Sequence, residues 1–114
     1  MNTIESISPI LSVADMQRSL GFYVDLLGFE NAEWCNDTFT GVSRDGCSIL
    51  LRQDDDPAPS RIYISLENAR AVHDELKPKG VTIVMGPTDK GYALEVTIED
   101  PDGNLIRIGS EPEK

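Results

Sequence analysis

The sequence is poor in the residues that hold metal ions. Its 114 residues include one histidine and two cysteines. Cys35 and Cys47 form no Cys-x-x-Cys pair, and His73 alone does not complete a zinc set with them. Two reduced thiols are the expectation. No apolar run approaches the roughly 20 residues needed to span a bilayer. The first residues, Met1-Asn2-Thr3-Ile4-Glu5, carry no basic region and no signal-like apolar run. A cytoplasmic location, away from membranes, is therefore expected. Basic residues are also scarce, ten against twenty acidic ones, for a net charge of −10. That balance argues against nucleic acid or an anionic membrane surface as partner. It suits a cationic ligand, although a solvated acidic surface is the simpler explanation.

What is present describes an ordinary soluble domain, with 39% apolar and 26% charged residues. A chain of this length buries roughly two-thirds of its unfolded surface, enough for a core without staples. One folded unit, residues 1–114, is expected.

Local patterning divides that unit into two similar halves. Residues 4–13 alternate as a strand, with Ile7, Leu11 and Val13 on one face and Ser6, Ser8, Ile10 and Ser12 on the other. Asp15 is a suitable N-cap for a helix carrying Met16, Leu20, Tyr23, Val24 and Leu27, and Gly28 ends it. Phe29–Cys35 and Phe39–Arg44 read as strands around Asn36-Asp37. Asp45-Gly46 is a type I′ hairpin signal, followed by a strand over Cys47–Arg52. In the second half Arg61–Leu66 alternates. Asn68 caps a helix with Ala69, Val72 and Leu76 on its apolar stripe, and Pro78 and Gly80 close it. His73 lies on this helix and is expected to be exposed. Val81–Met85 is a strand, residues 86–91 a loop, Tyr92–Glu99 a strand, Asp100–Gly103 a tight turn and Asn104–Gly109 the last strand.

The two halves correspond. Ser12 matches Ser65, Asp15 matches Asn68 and Gly28 matches Gly80, at offsets of 52 to 53 residues. The chain therefore reads as a tandem repeat of a βαβββ module, an α+β fold with a mostly antiparallel, cupped sheet. Module one covers about residues 4–53 and module two about 60–109. The acidic, proline-containing segment 54–60 links them.

One helix per module covers one sheet face. Alternation assigns Cys47, Ile49, Leu51, Ile62, Ile64, Ile106 and Ile108 to the helix side. Ser8, Ile10, Leu50, Arg61, Tyr63 and Arg107 then point to the other side, where two such sheets can enclose a cleft. That face is mixed in character, which suits a pocket better than a core.

Pro9-Ile10-Leu11-Ser12-Val13-Ala14-Asp15, followed by Phe22-Tyr23 and Leu27-Gly28-Phe29, resembles the opening of the vicinal oxygen chelate superfamily. This is the glyoxalase, bleomycin-resistance protein and extradiol dioxygenase group. Glu99-Asp100-Pro101-Asp102-Gly103-Asn104 resembles its closing turn, so the resemblance covers about residues 5–109. It implies paired βαβββ modules and a homodimer. These motifs identify a fold and leave the reaction open. Enzymes of the group hold a divalent metal on His and Glu ligands, and the resemblance carries those positions onto Ser8, Leu50, Arg61 and Arg107. A hydroxyl, an alkyl group and two guanidinium groups make no metal site. No metal, no cofactor and no catalytic residue of the metal-dependent kind is expected.

Within the group the chain looks most like the metal-free bleomycin-resistance branch, small acidic dimers that sequester a cationic antibiotic unaltered. Phe39 and Tyr92 fall at positions that are aromatic in that branch, and Trp34 is a third candidate for stacking on a planar ligand. The chain departs from the branch in its short approach to the Tyr92 strand. Arg61 and Arg107 on the cleft face also sit badly with a cation, and suit a carboxylate better. Glu95 and Glu99, on one face of their strand, are placed to offset them. The expected ligand-binding set is Ser8, Trp34, Phe39, Leu50, Arg61, Tyr63, Tyr92, Glu95 and Arg107. Two alternatives stand beside sequestration. One is a lyase or isomerase with an atypical site, for which Glu95 and Tyr63 are the available acid and base. The other is a non-catalytic dimer with a vestigial cleft.

Overall fold

The computed structural model describes residues 2–113 and resolves into two compact units, Met1–Ala58 and Pro59–Lys114. The boundary falls inside the acidic linker.

The first unit runs β1 (Ile10–Val13), α1 (Met16–Leu20), β2 (Glu30–Asn31), β3 (Phe39–Arg44) and β4 (Cys47–Gln53). The second runs β5 (Arg61–Ser65), α2 (Ala69–Leu76), β6 (Thr82–Asp89), β7 (Leu94–Glu99) and β8 (Leu105–Ser110). Each forms a four-stranded sheet of the same topology, β1-β4-β3-β2 and β5-β8-β7-β6. In each, the first strand lies parallel to the last, β1 on β4 and β5 on β8, and the other pairs are antiparallel. The repeat read from spacing is thus a repeat of topology, and the fold is α+β with tandem βαβββ modules.

The same devices fix both helices. Asp15 Oδ1 accepts from the Arg18 amide (3.2 Å) and Asn68 Oδ1 from the Ala71 amide (3.0 Å), each closing the first turn. A side chain at the end of the strand that pairs with the first strand takes the next free amide. Gln53 Oε1 accepts from Met16 N (2.8 Å), and Ser110 Oγ accepts from Ala69 N (3.0 Å). Gly80 ends the second helix in the left-handed region at φ +83°, and Asp45 and Gly46 have φ of +52° and +79°, as a type I′ turn demands.

One sheet face of each unit is buried under its helix. Leu11, Val13, Val42, Ile49 and Leu51 form the first core with Met16, Phe22, Tyr23 and Phe29. Val96, Ile98, Ile106 and Ile108 form the second with Ala69 and Leu76. Burying each of the larger aliphatic and aromatic side chains contributes about 1.5–3 kcal/mol relative to leaving it in water.

Six expectations need correction. The strand expected over residues 4–13 is hydrogen-bonded only from Pro9 onward. Pro9 O accepts from Leu50 N, but proline has no N–H to donate the next rung. Ile7 is accordingly 87% exposed and not part of the core face. The strand expected over Phe29–Cys35 reduces to Glu30–Asn31, because the chain turns at Ala32, whose carbonyl accepts from Cys35 N. The first helix does not keep one period. After Leu20 it widens into a π-helical turn, Gly21–Leu26, with Leu27 N donating to Phe22 O, so Phe22 and Tyr23 are both buried while Leu20 and Val24 are only partly so. The loop expected at 86–91 is largely strand, since β6 extends to Asp89 through two register shifts. Its Pro87 is tolerated because β6 is an edge strand. Cys47 is exposed instead of lying under the helix, being the residue that closes the hairpin opposite Arg44. His73, expected to be exposed, is half-buried, with its side chain 13% accessible and Nδ1 3.0 Å from Asp74.

Candidate functional sites on the open sheet faces

Each sheet has a second face that its helix does not cover, and the expected ligand-binding residues other than Ser8 lie on it or over it. In the second unit β5, β8 and β7 set the arrangement. Tyr63 pairs with Arg107 and Arg107 with Thr97, while Ser65, Gly109 and Glu95 form the next row. Residues at these registers share a face, so Arg61, Tyr63, Arg107 and Glu95 are neighbours by construction.

Their side chains form one network. Arg107 Nε donates to Glu95 Oε1 at 2.7 Å, and Arg107 Nη2 donates to Tyr92 Oη at 2.6 Å. Tyr63 Oη donates to Glu95 Oε2 at 3.0 Å. The Arg107 guanidinium also stands 5.6 Å from the centre of the Tyr63 ring. Glu95 is fully buried beneath them, while Tyr63 and Tyr92 remain 47% and 65% exposed. Glu95 therefore holds Arg107 and Tyr63 in place and presents no free carboxylate to solvent.

The electrostatics follow from the contacts. The hydrogen bond from Arg107 outweighs burial and holds the Glu95 carboxyl below its ordinary 4.5. The Glu95 bond likewise raises Arg107. Burial first, and then the bond to Glu95, raise Tyr63 above its ordinary 10.0. Arg107 and Glu95 neutralise each other. Arg61 makes no hydrogen bond or ion pair among the described residues.

Two glycines make this geometry possible. A Cβ at Gly109 would overlap the Tyr63 hydroxyl and lie 2.7 Å from its Cζ. The phenol thus crosses β8 over the one residue type that leaves room for it. Gly41 has the same part in the first unit, where a Cβ would meet Trp34 Cζ2 at 3.0 Å and Leu50 Cδ2 at 3.2 Å. Neither glycine stood out in the sequence. The signal was there, since a glycine inside an alternating strand marks a close approach.

The first unit's open face is apolar where the second is polar. Ile10, Leu50 and Gly41 are register partners across β1, β4 and β3. Trp34, 58% exposed, lies over Gly41 with its ring 5.8 Å from that of Phe39 at an angle of 36°. The Asn36 side chain fixes this loop, its Oδ1 accepting from the Thr38 and Phe39 amides at 2.9 and 2.8 Å. Leu50 is half-buried on this face. Ser8 is half-buried in the segment before β1.

The structure thus brings Tyr63, Tyr92, Glu95 and Arg107 together on one face, with Arg61 one register step away. It brings Trp34, Phe39 and Leu50 together on the other unit's face.

A model of the Glyoxalase/Bleomycin resistance protein/Dioxygenase superfamily matches residues 3–108. The chain belongs to that superfamily. It is 29% identical over 114 residues to virulence protein STM3117 of Salmonella typhimurium, covering 87% of this chain and 78% of that protein. It is 28% identical over 117 residues to a lactoylglutathione lyase of the same organism, covering 87% of each. The fold is shared with the bleomycin-binding protein of Streptomyces verticillus, solved with copper(II)-bleomycin, at a TM-score of 0.77 and 24% identity over 99% of this chain and all of that one.

The superfamily's metal-dependent members raise the question of a metal here, and the donor chemistry does not fit one. Of the four positions in question, Leu50 offers no donor atom and Ser8 only a hydroxyl. Arg61 and Arg107 are permanently cationic donors. The carboxylate beside them, Glu95, is taken by Arg107 and Tyr63. Among the described residues no group of three or more His, Cys, Asp or Glu is placed to share an ion.

Proposed function

We propose that the protein is a metal-independent binder of a small molecule with a planar group, acting as a homodimer in the cytoplasm and leaving the ligand chemically unchanged. The observation that carries this is the pair of exposed rings, Trp34 and Tyr63, each seated over a strand glycine on an open sheet face. A large aromatic ring held rigidly and left half in water is suited to stacking on a ligand. The Arg107–Glu95 pair supports metal independence, because it occupies with an ion pair a position where metal chemistry needs a free carboxylate or imidazole. Two exposed, unpaired thiols suit a reducing compartment. Dimerisation rests on the superfamily resemblance and on two uncovered sheet faces, which pairing would cover. Sedimentation showing only a 12.5 kDa species at micromolar concentration would remove it.

Bleomycin is the first compound to try, because a bleomycin-binding protein shares the fold. Trp34 is the only tryptophan, so its fluorescence reports on one face. Saturable quenching by metal-free bleomycin in the presence of a chelator, weaker at higher salt, supports sequestration. A flat titration with an unchanged melting temperature removes the antibiotic and keeps the wider reading. A need for added metal, or chemical change in the bound compound, overturns the wider reading.

The similarity to lactoylglutathione lyases favours one other reading, catalysis with Tyr63 and Glu95 as acid and base. The electrostatics weigh against it. Tyr63 is pushed up and Glu95 down, so neither exchanges a proton near neutrality, where a general acid or base works best. An assay for lactoylglutathione formation or breakdown, with and without divalent metal, is expected to show no turnover.

A further inference from the structure

The second unit's open face carries more positive charge than its internal pairing uses. Arg107 has five N–H donors, and the network engages two, through Nε and one hydrogen of Nη2. The Nη1 edge is left, on a side chain 49% exposed and held by Glu95 below and Tyr63 beside it. Arg61 is diagonal to Arg107, since Arg61 pairs with Leu105 and Tyr63 with Arg107. With parallel strands about 4.8 Å apart and a rise of about 3.3 Å per residue, such neighbours lie about 8 Å apart at the backbone, within converging reach of two arginine side chains. The other carboxylate on the face does not quench Arg61. Glu99 lies two strands away, opposite Leu105, and its Oε1 is turned to the Gly103 turn, 3.6 Å from where a Cβ there would stand.

We infer that this face binds the carboxylate of a small-molecule ligand, with Arg61 and the free edge of Arg107 as its cationic contacts and the Tyr63 and Tyr92 rings as its walls. The inference rests on the small-molecule-binding reading and adds the ligand's charge. A planar, fixed guanidinium matches the two oxygens of a carboxylate, and fixing it beforehand lowers the cost of binding. Unpaired arginine beside it supplies a second contact. A cationic ligand would face an uncompensated Arg61 instead.

The test uses the full-length protein, with benzoate as probe and the isosteric neutral benzamide as control. Arginine Nε–Hε signals are followed by NMR at constant ionic strength, with sodium chloride making up the balance. Benzoate is expected to shift the Arg61 and Arg107 signals saturably, with a dissociation constant on the order of millimolar for so small a ligand. Benzamide is expected to leave them in place. Arg61→Gln removes a side chain that fastens nothing, so the fold is retained, and it should weaken benzoate about five- to tenfold. Arg107→Lys keeps the charge but loses the fork, and should weaken it by a similar factor. Equal shifts with benzamide or chloride overturn the inference, as does an Arg61→Gln variant that binds benzoate like the parent. If bleomycin still quenches Trp34 in chelator while benzoate is silent, the carboxylate inference falls and the binding reading stands. If benzoate binds only with added metal, the metal-independent reading itself falls.

Discussion

Asn104 is the residue through which the closing turn is tied to the rest of its unit, and replacing it should be costly. Its Oδ1 accepts from the Ser60 amide at 2.8 Å, linking the turn to the chain just before β5. Its Nδ2 donates to Asp100 Oδ2 at 2.8 Å, while Asp100 Oδ1 accepts from the Asp102 and Asn104 amides at 2.8 and 2.9 Å. Asn104 is fully buried and Asp100 is 5% exposed. Asn104→Ala thus takes a donor from a buried carboxylate, where a hydrogen bond to a charged group is worth about 1.5–3 kcal/mol. The Ser60 amide is at the surface and regains water, adding about 0.5–1 kcal/mol. The expected loss is about 2–4 kcal/mol, or about 8–16 °C in melting temperature at about 4 °C per kcal/mol. Asn104→Asp should be worse than alanine, because it sets a second carboxylate against Asp100. Urea unfolding followed by circular dichroism, with calorimetry beside it, measures both variants. A melting temperature within about 3 °C of the parent for Asn104→Ala would refute the reasoning, as would an aspartate variant more stable than the alanine one.

Two further predictions concern Tyr63. The difference between the ultraviolet titrations of the parent and of Tyr63→Phe isolates this phenol, and its midpoint should lie above 10.0. The sign follows from linkage: the folded state holds this proton more tightly, so its stabilising effect is complete below 10.0 and is lost as pH rises through the folded value. A midpoint at or below 10.0 would contradict the Glu95 contact. Gly109→Ala should push the ring off β8, break the bond to Glu95 and move that midpoint back toward the ordinary value, checked by the same titration.

Much of this molecule could be read from local chemistry. Asp15, Asn68 and Asp45-Gly46 announce caps and a turn because each satisfies or frees specific backbone groups, and the alternation of β4, β7 and β8 placed Ile49, Ile106, Arg107 and Glu95 on the correct faces. What stayed hidden depends on partners distant in sequence. Residues 4–8 alternate as well as β1 does, but alternation does not say whether a neighbouring strand offers a ladder. The π-helical turn shifts the buried face by a step that a 3.6-residue period does not contain. Same-face placement of Arg107 and Glu95 was legible, whereas the choice of Glu95 over Glu99 as the partner is decided by which one lies opposite Gly109 and under the Tyr63 ring.

The burial of Glu95 also constrains how this face can change over evolutionary time. A carboxylate with no exposure depends on the guanidinium beside it. Losing that partner by a single substitution strands a buried charge, which is strongly destabilising. Arg107→Glu would be worse, setting two carboxylates in contact. Positions 95 and 107 must therefore change together or in a fixed order, by way of an uncharged residue at 95. The ion pair thus acts as a ratchet, tying the fate of each of these two positions to the other.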